Sequence, residues 1–234
     1  YSLQIYFDFS GYTDMALGAA LMFNIRLPLN FDSPYRATNL QDFWRRWHIT
    51  LSRFLRDYVY VPLGGGRGTG LIVSRNVLLT FLVGGFWHGA GWTFLVWGAL
   101  HGVGLVVVLQ WRRWGWAMPA VMAWALTLLF VHLTWVFFRA DSWQSALTIL
   151  RALVPSDWAI SSLMPILRAF QADFPLTPSM TLVVAGVLCL LPINSNRLAE
   201  RFNGRVWEGG AVVVLLTFAV LLLGRVSPFL YFNF

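Results

Sequence analysis

The chain has 234 residues, of which 58% are hydrophobic and 12% charged, with a net charge of +7 and a single cysteine. Soluble domains carry about a quarter charged residues, so this composition selects an integral membrane protein. Nucleic-acid binding, a disulfide-stapled miniprotein and a cysteine-based zinc site are excluded. All 17 basic residues are Arg set between apolar spans, and Cys189 lies alone in one of those spans.

A helix needs about 20 apolar residues to cross a hydrocarbon core of ~30 Å. The first such stretch, Tyr1 to Ile25, is apolar from its opening residue, and that residue is not Met. The chain therefore reads as the C-terminal part of a longer protein whose N-terminal half is absent, with residues 1–234 forming one membrane domain. Asp8, Ser10, Tyr12 and Asp14 make this first span unusually polar. Each Asp either pairs with an Arg such as Arg45 or Arg46, or lines a substrate passage.

Residues 30–70 are too polar to span and too aromatic for an ordinary loop. Asn39 and Asp42 fit a capping box that opens a helix at about Leu40. Phe43, Trp47, Leu51, Phe54 and Tyr58 then recur on one face, and Gln41, Arg45, His48, Ser52 and Arg56 on the opposite one. Such a helix is re-entrant or interfacial. It is either a lipid-phosphate anchor or the polar wall of a water-filled cavity. Pro62 ends the pattern, and GGGRGTG follows. That run lacks a P-loop Lys and the GxGxxG spacing, so it reads as a tight turn with Arg67 as an anion contact.

Leu71 to Trp87 is the second span. It contains Arg75 and is expected to be broken or re-entrant. GGFWHGAGWTF joins it to the third span, Thr93 to Trp111. Ionisable groups at such depth are functional candidates, and His88 is the strongest. Gly84, Gly85, Gly89 and Gly91 permit close approach there, with Trp87 and Trp92 as walls. His101, inside the third span, is either structural or part of the site. His132, in the fourth span from Ala117 to Phe138, is accounted for by one helix–helix hydrogen bond. Residues 139–173 hold three Arg and three Asp and are neutral. Thr177 to Ile193 and Gly209 to Gly224 complete the spans, and SPFLYFNF suits a membrane interface. Basic and neutral loops alternate, which places the Arg-rich segments on the cytoplasmic side. The expected fold is an all-α, polytopic membrane helical bundle with a re-entrant or interfacial helical segment.

No HxxxH or HExxH pair suggests a metal site, and no GxSxG elbow suggests a nucleophilic Ser. A His acting as general base on a hydroxyl needs less machinery and works near neutral pH.

YFDFSGYTDMALG, NFDSPYRATNLQDFWRRWHITLSRFLRDYVYVPLGG and FWHGAGWTFLVWGALHG resemble the membrane-bound O-acyltransferases. Within that family they are similar to the branch of alginate O-acetylation and of D-alanyl transfer to teichoic acids, and PFLYFNF resembles the end of alginate-type members. The likeness is continuous from Tyr1 to about Gly104 and weaker to Arg225. Gly91 departs from the polar residue of many relatives, so no role passes to it. The resemblance implies a bacterial inner-membrane enzyme, a tunnel, and acyl transfer from a cytoplasmic thioester to a hydroxyl. It matches the family's invariant His to His88 and its second His to His48. His88 would act as base. His48 and Arg45, with Ser52 on the same stripe, would orient the acyl carbonyl or the donor's arm. The donor is acetyl-coenzyme A or an acyl carrier, no cofactor is bound, and the acceptor is a polysaccharide or an extracytoplasmic acetyl-accepting protein. D-alanyl transfer to teichoic-acid-type polymers, or a non-enzymatic transporter, are the alternatives.

Overall fold

The computed structural model describes residues 1–153 and 178–222. Most of the neutral 139–173 segment, the start of the fifth span, the end of the sixth and the SPFLYFNF terminus lie outside the described residues. Among the described residues every regular element is a helix, with no strand. It is an all-α membrane bundle.

The first helix, α1, is Ser2–Met22. A 3₁₀ turn at Pro34–Arg36 leads to two short helices, α2 (Leu40–Arg46) and α3 (Ile49–Leu55). A single π-turn over Arg56–Tyr60 follows. Then come α4 (Gly70–His88), α5 (Trp92–Arg113), α6 (Ala120–Arg139) and α7 (Trp143–Ala152). After the undescribed stretch lie α8 (Pro178–Leu190), α9 (Ser195–Glu200) and α10 (Val206–Leu222). Three helices, α4, α5 and α6, are long and apolar enough to cross a membrane. At ~1.5 Å per residue each spans about 30 Å, the thickness of the hydrocarbon core.

The expected break in α4 is not there. Arg75 sits near the helix start, exposed, and donates to the Asn76 side-chain oxygen from Nη2 at 3.0 Å and Nε at 3.3 Å. Its charge therefore stays at the edge of the span. Asn76 is fully buried and donates to the Gly65 carbonyl at 3.0 Å, which ties the glycine turn to α4. Gly64, Gly65 and Gly68 have φ of 107°, 57° and 97°, the left-handed conformations that glycine tolerates.

Two glycines bring α4 and α5 together. A Cβ on Gly85 would collide with the Phe94 carbonyl oxygen, and one on Gly98 with the Phe81 carbonyl oxygen. Small residues at such positions let helix backbones meet in lipid, where hydrophobic attraction between helices is absent. This contact fixes the end of α4, and with it His88.

The core is aromatic. Phe9, Phe31, Tyr35, Phe43, Trp44, Trp47, Trp97, Trp135 and Phe138 are buried. Phe43 and Trp47 stack at 5.7 Å, and Trp47 meets Trp135 at 5.0 Å, so the short helices pack onto α6. The loop before them is also clamped from far along the chain. Asn194 donates to Asp32 Oδ1 at 2.7 Å and Asn196 to the Phe31 carbonyl at 2.9 Å.

The expected helix from Leu40 begins where its cap predicts, with Asn39 Oδ1 accepting from the Asp42 N–H at 2.9 Å. The reciprocal half of the capping box is absent, because the Asp42 carboxylate takes Arg46 Nε at 2.8 Å instead. Nor does the helix run on. It breaks at Trp47, and His48 stands in the left-handed region at φ 43°, ψ 55°. Phe54 and Tyr58 are consequently exposed rather than packed with Phe43, Trp47 and Leu51.

Candidate active site

His88 is the last residue of α4, held at the junction that Gly85 and Gly98 close. Its ring meets Trp87 at 4.8 Å, Phe138 at 5.0 Å and Trp97 at 5.2 Å, all edge-on. It lines a cavity of about 490 Å³ with Tyr1, Thr93, Phe94, Phe138 and Arg139. Among the described residues no hydrogen bond engages either imidazole nitrogen of His88.

His48 also meets Trp87, at 6.4 Å between ring centroids, and packs edge-on against Phe9 of α1 at 4.8 Å. The left-handed break rotates it off the expected stripe. Gln41, Arg45, Ser52 and Arg56 do share one wall, that of a second cavity of about 460 Å³ that His48 does not line. The structure thus brings His48 and His88 together and leaves Arg45 and Ser52 with the neighbouring chamber. Burial, and then the nearby His88, push the His48 pKa down to about 3. His48 lies between α2 and α3, outside the spans, and is neutral at physiological pH.

The two chambers sit at different heights along the same helices. Val77, Thr80 and Phe81 of α4 and Leu105 and Leu109 of α5 line the Arg-rich one. His88 at the end of α4 and Thr93 at the start of α5 line the other. Seven residues of helix, about 10 Å, separate Phe81 from His88. Arg45, Arg53 and Arg56 border the first chamber, a setting for an anionic group.

Trp87, 55% exposed, has ring contacts with both histidines. Trp92 is 79% exposed at the start of α5, and among the described residues no ring contact joins it to either histidine. His101 is structural. It is fully buried, accepts from Trp44 Nε1 at Nδ1 (3.2 Å) and donates from Nε2 to Thr134 Oγ1 (3.0 Å). Both nitrogens are satisfied. His132 Nδ1 bonds the Leu128 carbonyl of its own helix at 2.7 Å, so the expected helix–helix bond is replaced by an intrahelical one. Of the Arg residues expected to pair with the α1 acids, Arg46 among the described residues bonds Asp42 at 2.8 Å and approaches Asp32 at 4.0 Å. Asp14 faces the Ser195 hydroxyl.

Sequence reasoning missed Asn30 and Thr50. The Asn30 side-chain oxygen lies 3.1 Å from His48 Nδ1 and also accepts from Thr50 Oγ1 at 2.9 Å. Residue spacing carries no signal of that contact, which forms between residues 18 apart in a non-helical loop. Among the described residues no three His, Cys, Asp or Glu side chains gather at a metal-binding distance.

Residues 1–143 match the membrane-bound O-acyltransferase family. The chain belongs to that family. It is 55% identical over 158 residues to a peptidoglycan O-acetyltransferase of Helicobacter pylori, covering 66% of this chain and 30% of that protein. It is 38% identical over 267 residues to the probable alginate O-acetylase AlgI of Azotobacter vinelandii, covering 100% of this chain and 53% of the relative. A teichoic acid D-alanyltransferase of Bacillus subtilis is 35% identical over 96 residues, or 38% of this chain. The chain thus spans about half or less of the curated relatives it matches.

Proposed function

We propose that this protein is a bacterial inner-membrane O-acyltransferase that moves an acetyl group from a cytoplasmic thioester to a hydroxyl of a cell-envelope polysaccharide. The observation that carries the reading is the pair of imidazoles, His88 and His48, both in contact with Trp87, with His88 lining a cavity. Family membership supports the acyl-transfer class. Polysaccharide O-acetylation is what the names of the two longest-matching kinds of relative describe.

The chemistry follows from the residues. A hydroxyl oxygen attacks the thioester carbonyl, a C–O bond forms, and the C–S bond breaks. The hydroxyl proton passes to an imidazole and from there to the departing thiolate. His88, with no hydrogen bond at either nitrogen among the described residues, is the base. Such a base is worth about 10²–10⁴ in rate. The Arg45, Arg53 and Arg56 chamber suits the phosphates of acetyl-coenzyme A or of a carrier's phosphopantetheine arm. Its Arg content agrees with a cytoplasmic entrance. The acceptor approaches from the His88 side, either as the glycan itself or as an extracytoplasmic protein that passes the acetyl on.

The test is His88→Ala in the intact protein, assayed for envelope polysaccharide acetylation at matched membrane expression. A fall of at least ~10²-fold is expected. Acetylation at the wild-type level would end the reading. D-alanyl transfer is the second reading, supported by relatives at 33–35% identity over 38–39% of the chain. Labelled D-alanine rather than acetyl on the polymer would establish it.

A further inference from the structure

We propose that Asn30 is a positioning residue for His48: with Thr50, it fixes the imidazole as the Nδ1–H form and leaves Nε2 as a buried acceptor. This rests on the reading of His48 as part of the acyl-transfer site.

The proton can be placed from the hydrogen bonds. Asn30 is buried, and its side-chain oxygen receives the Thr50 backbone N–H at 3.2 Å and the Thr50 hydroxyl at 2.9 Å. A backbone N–H only donates, so the Asn30 atom at this point is the oxygen and not the amide nitrogen. His48 Nδ1 lies 3.1 Å from the same oxygen and 3.4 Å from the Thr50 hydroxyl; with that hydroxyl donating to Asn30 at the shorter 2.9 Å, Nδ1 is the donor to the Asn30 oxygen. A neutral imidazole has one N–H, so Nε2 carries the lone pair. That Nε2 is buried and has no hydrogen-bond partner among the described residues.

The backbone agrees. A non-glycine residue in the left-handed region is strained. His48 is held there by Asn30 twice, through its side chain and through its carbonyl, which accepts from the Ile49 N–H at 3.0 Å. Without that turn His48 would continue the helix and face the Arg45 chamber. Asn30 thus decides both where the imidazole lies and which nitrogen is bare. A neutral Nε2 accepts a hydrogen bond and has none to donate. His48 Nε2 therefore only accepts, and donates nothing to a thioester carbonyl.

The charged and titratable groups around His48 are few. His88 is one of them, in contact with the same Trp87 ring. Asp32, two residues past Asn30, is engaged by Arg46 and Asn194, and Asp42 by Arg46. Asp8 adjoins Phe9 on α1, whose ring packs against the imidazole. Replacing Asn30 by Asp would add a carboxylate at Nδ1 and favour the imidazolium.

The experiment compares Asn30→Ala, Asn30→Asp and His48→Ala in the intact protein. Acetyl transfer is measured in membranes from labelled acetyl-coenzyme A as a function of pH. Asn30→Ala is expected to lower kcat at least ~10-fold with the donor KM unchanged. Asn30→Asp keeps the acceptor oxygen and so retains activity at neutral pH, with the acid limb of its kcat profile moved up by at least about one pH unit. A merely structural Asn30 would leave that limb where the wild type has it, and this result, or a wild-type kcat in Asn30→Ala, overturns the proposal. Full activity in His48→Ala would instead overturn the reading of the site on which the proposal rests.

Discussion

Trp44 donates its indole N–H to Nδ1 of His101 at 3.2 Å, and the opposite ring nitrogen donates to Thr134. One fully buried imidazole therefore joins α2, α5 and α6 and has no capacity left for a substrate. His101→Ala is expected to destabilise the protein by about 2–4 kcal/mol, through a cavity and an orphaned Trp44 N–H. Activity per folded molecule should change little. Thermal unfolding in detergent, alongside acetyl transfer normalised to folded protein, checks this. A selective loss of kcat in a stable variant would contradict it.

The α4–α5 contact gives a second expectation. Gly85→Ala and Gly98→Ala each drive a methyl group into a carbonyl oxygen of the facing helix. The helices must separate, at a cost of about 1–3 kcal/mol or more, and His88 moves with them. Both variants should lose stability and activity together. Gly91→Ala, whose Cβ would meet nothing nearer than Phe94 at 3.6 Å, should remain near wild type. Equal behaviour of Gly85 and Gly91 would refute the packing argument.

His48 supplies a pH dependence of stability. Its pKa falls from 6.5 to about 3 on folding, because burial disfavours the imidazolium. The unfolded chain therefore binds the proton more readily. The contribution is fully present above pH ~6.5 and declines as pH drops from there toward ~3. The melting temperature should fall between pH 7 and pH 4.5, and fall less in His48→Gln. Identical slopes for the two proteins would exclude His48 as a source.

The Arg-bordered chamber should set donor affinity rather than turnover. Arg45→Ala is expected to raise the donor KM about 10-fold or more, since a charge-assisted hydrogen bond is worth ~1.5–3 kcal/mol. Its kcat should stay within about 3-fold. Arg36→Ala, on the 3₁₀ turn and outside that chamber, should leave KM nearly unchanged. Equal effects at the two positions would mean that a diffuse surface charge, not this chamber, attracts the donor.

Much of this arrangement was legible in the residues. Apolar length located α1, α4, α5 and α6, and Asn39 marked the start of α2. His88 announced itself by its glycine and tryptophan flanks. What periodicity could not show is where a helix stops for tertiary reasons. The 3.6-residue pattern runs unbroken from Phe43 to Tyr58, but Asn30 captures His48 and opens the helix there. The same blindness applied to His101, whose partner Trp44 is 57 residues away. Arg75 misled in the other direction. A charge within an apolar stretch suggested a broken span, whereas its place near the helix start lets it stay exposed.

The Asn194–Asp32 bond has a consequence for biosynthesis. It joins residues 162 apart and secures the loop on which Asn30 sits. At ~5–20 residues per second, about 8–30 s of translation separate the two partners. During that interval the spans α4 to α6 can already insert and pack while the His48 turn lacks its outer clamp. Assembly of the membrane core and completion of the Asn30 loop are thus separate events in the life of each molecule. A chain released before Asn194 would be inserted but have an unfinished site.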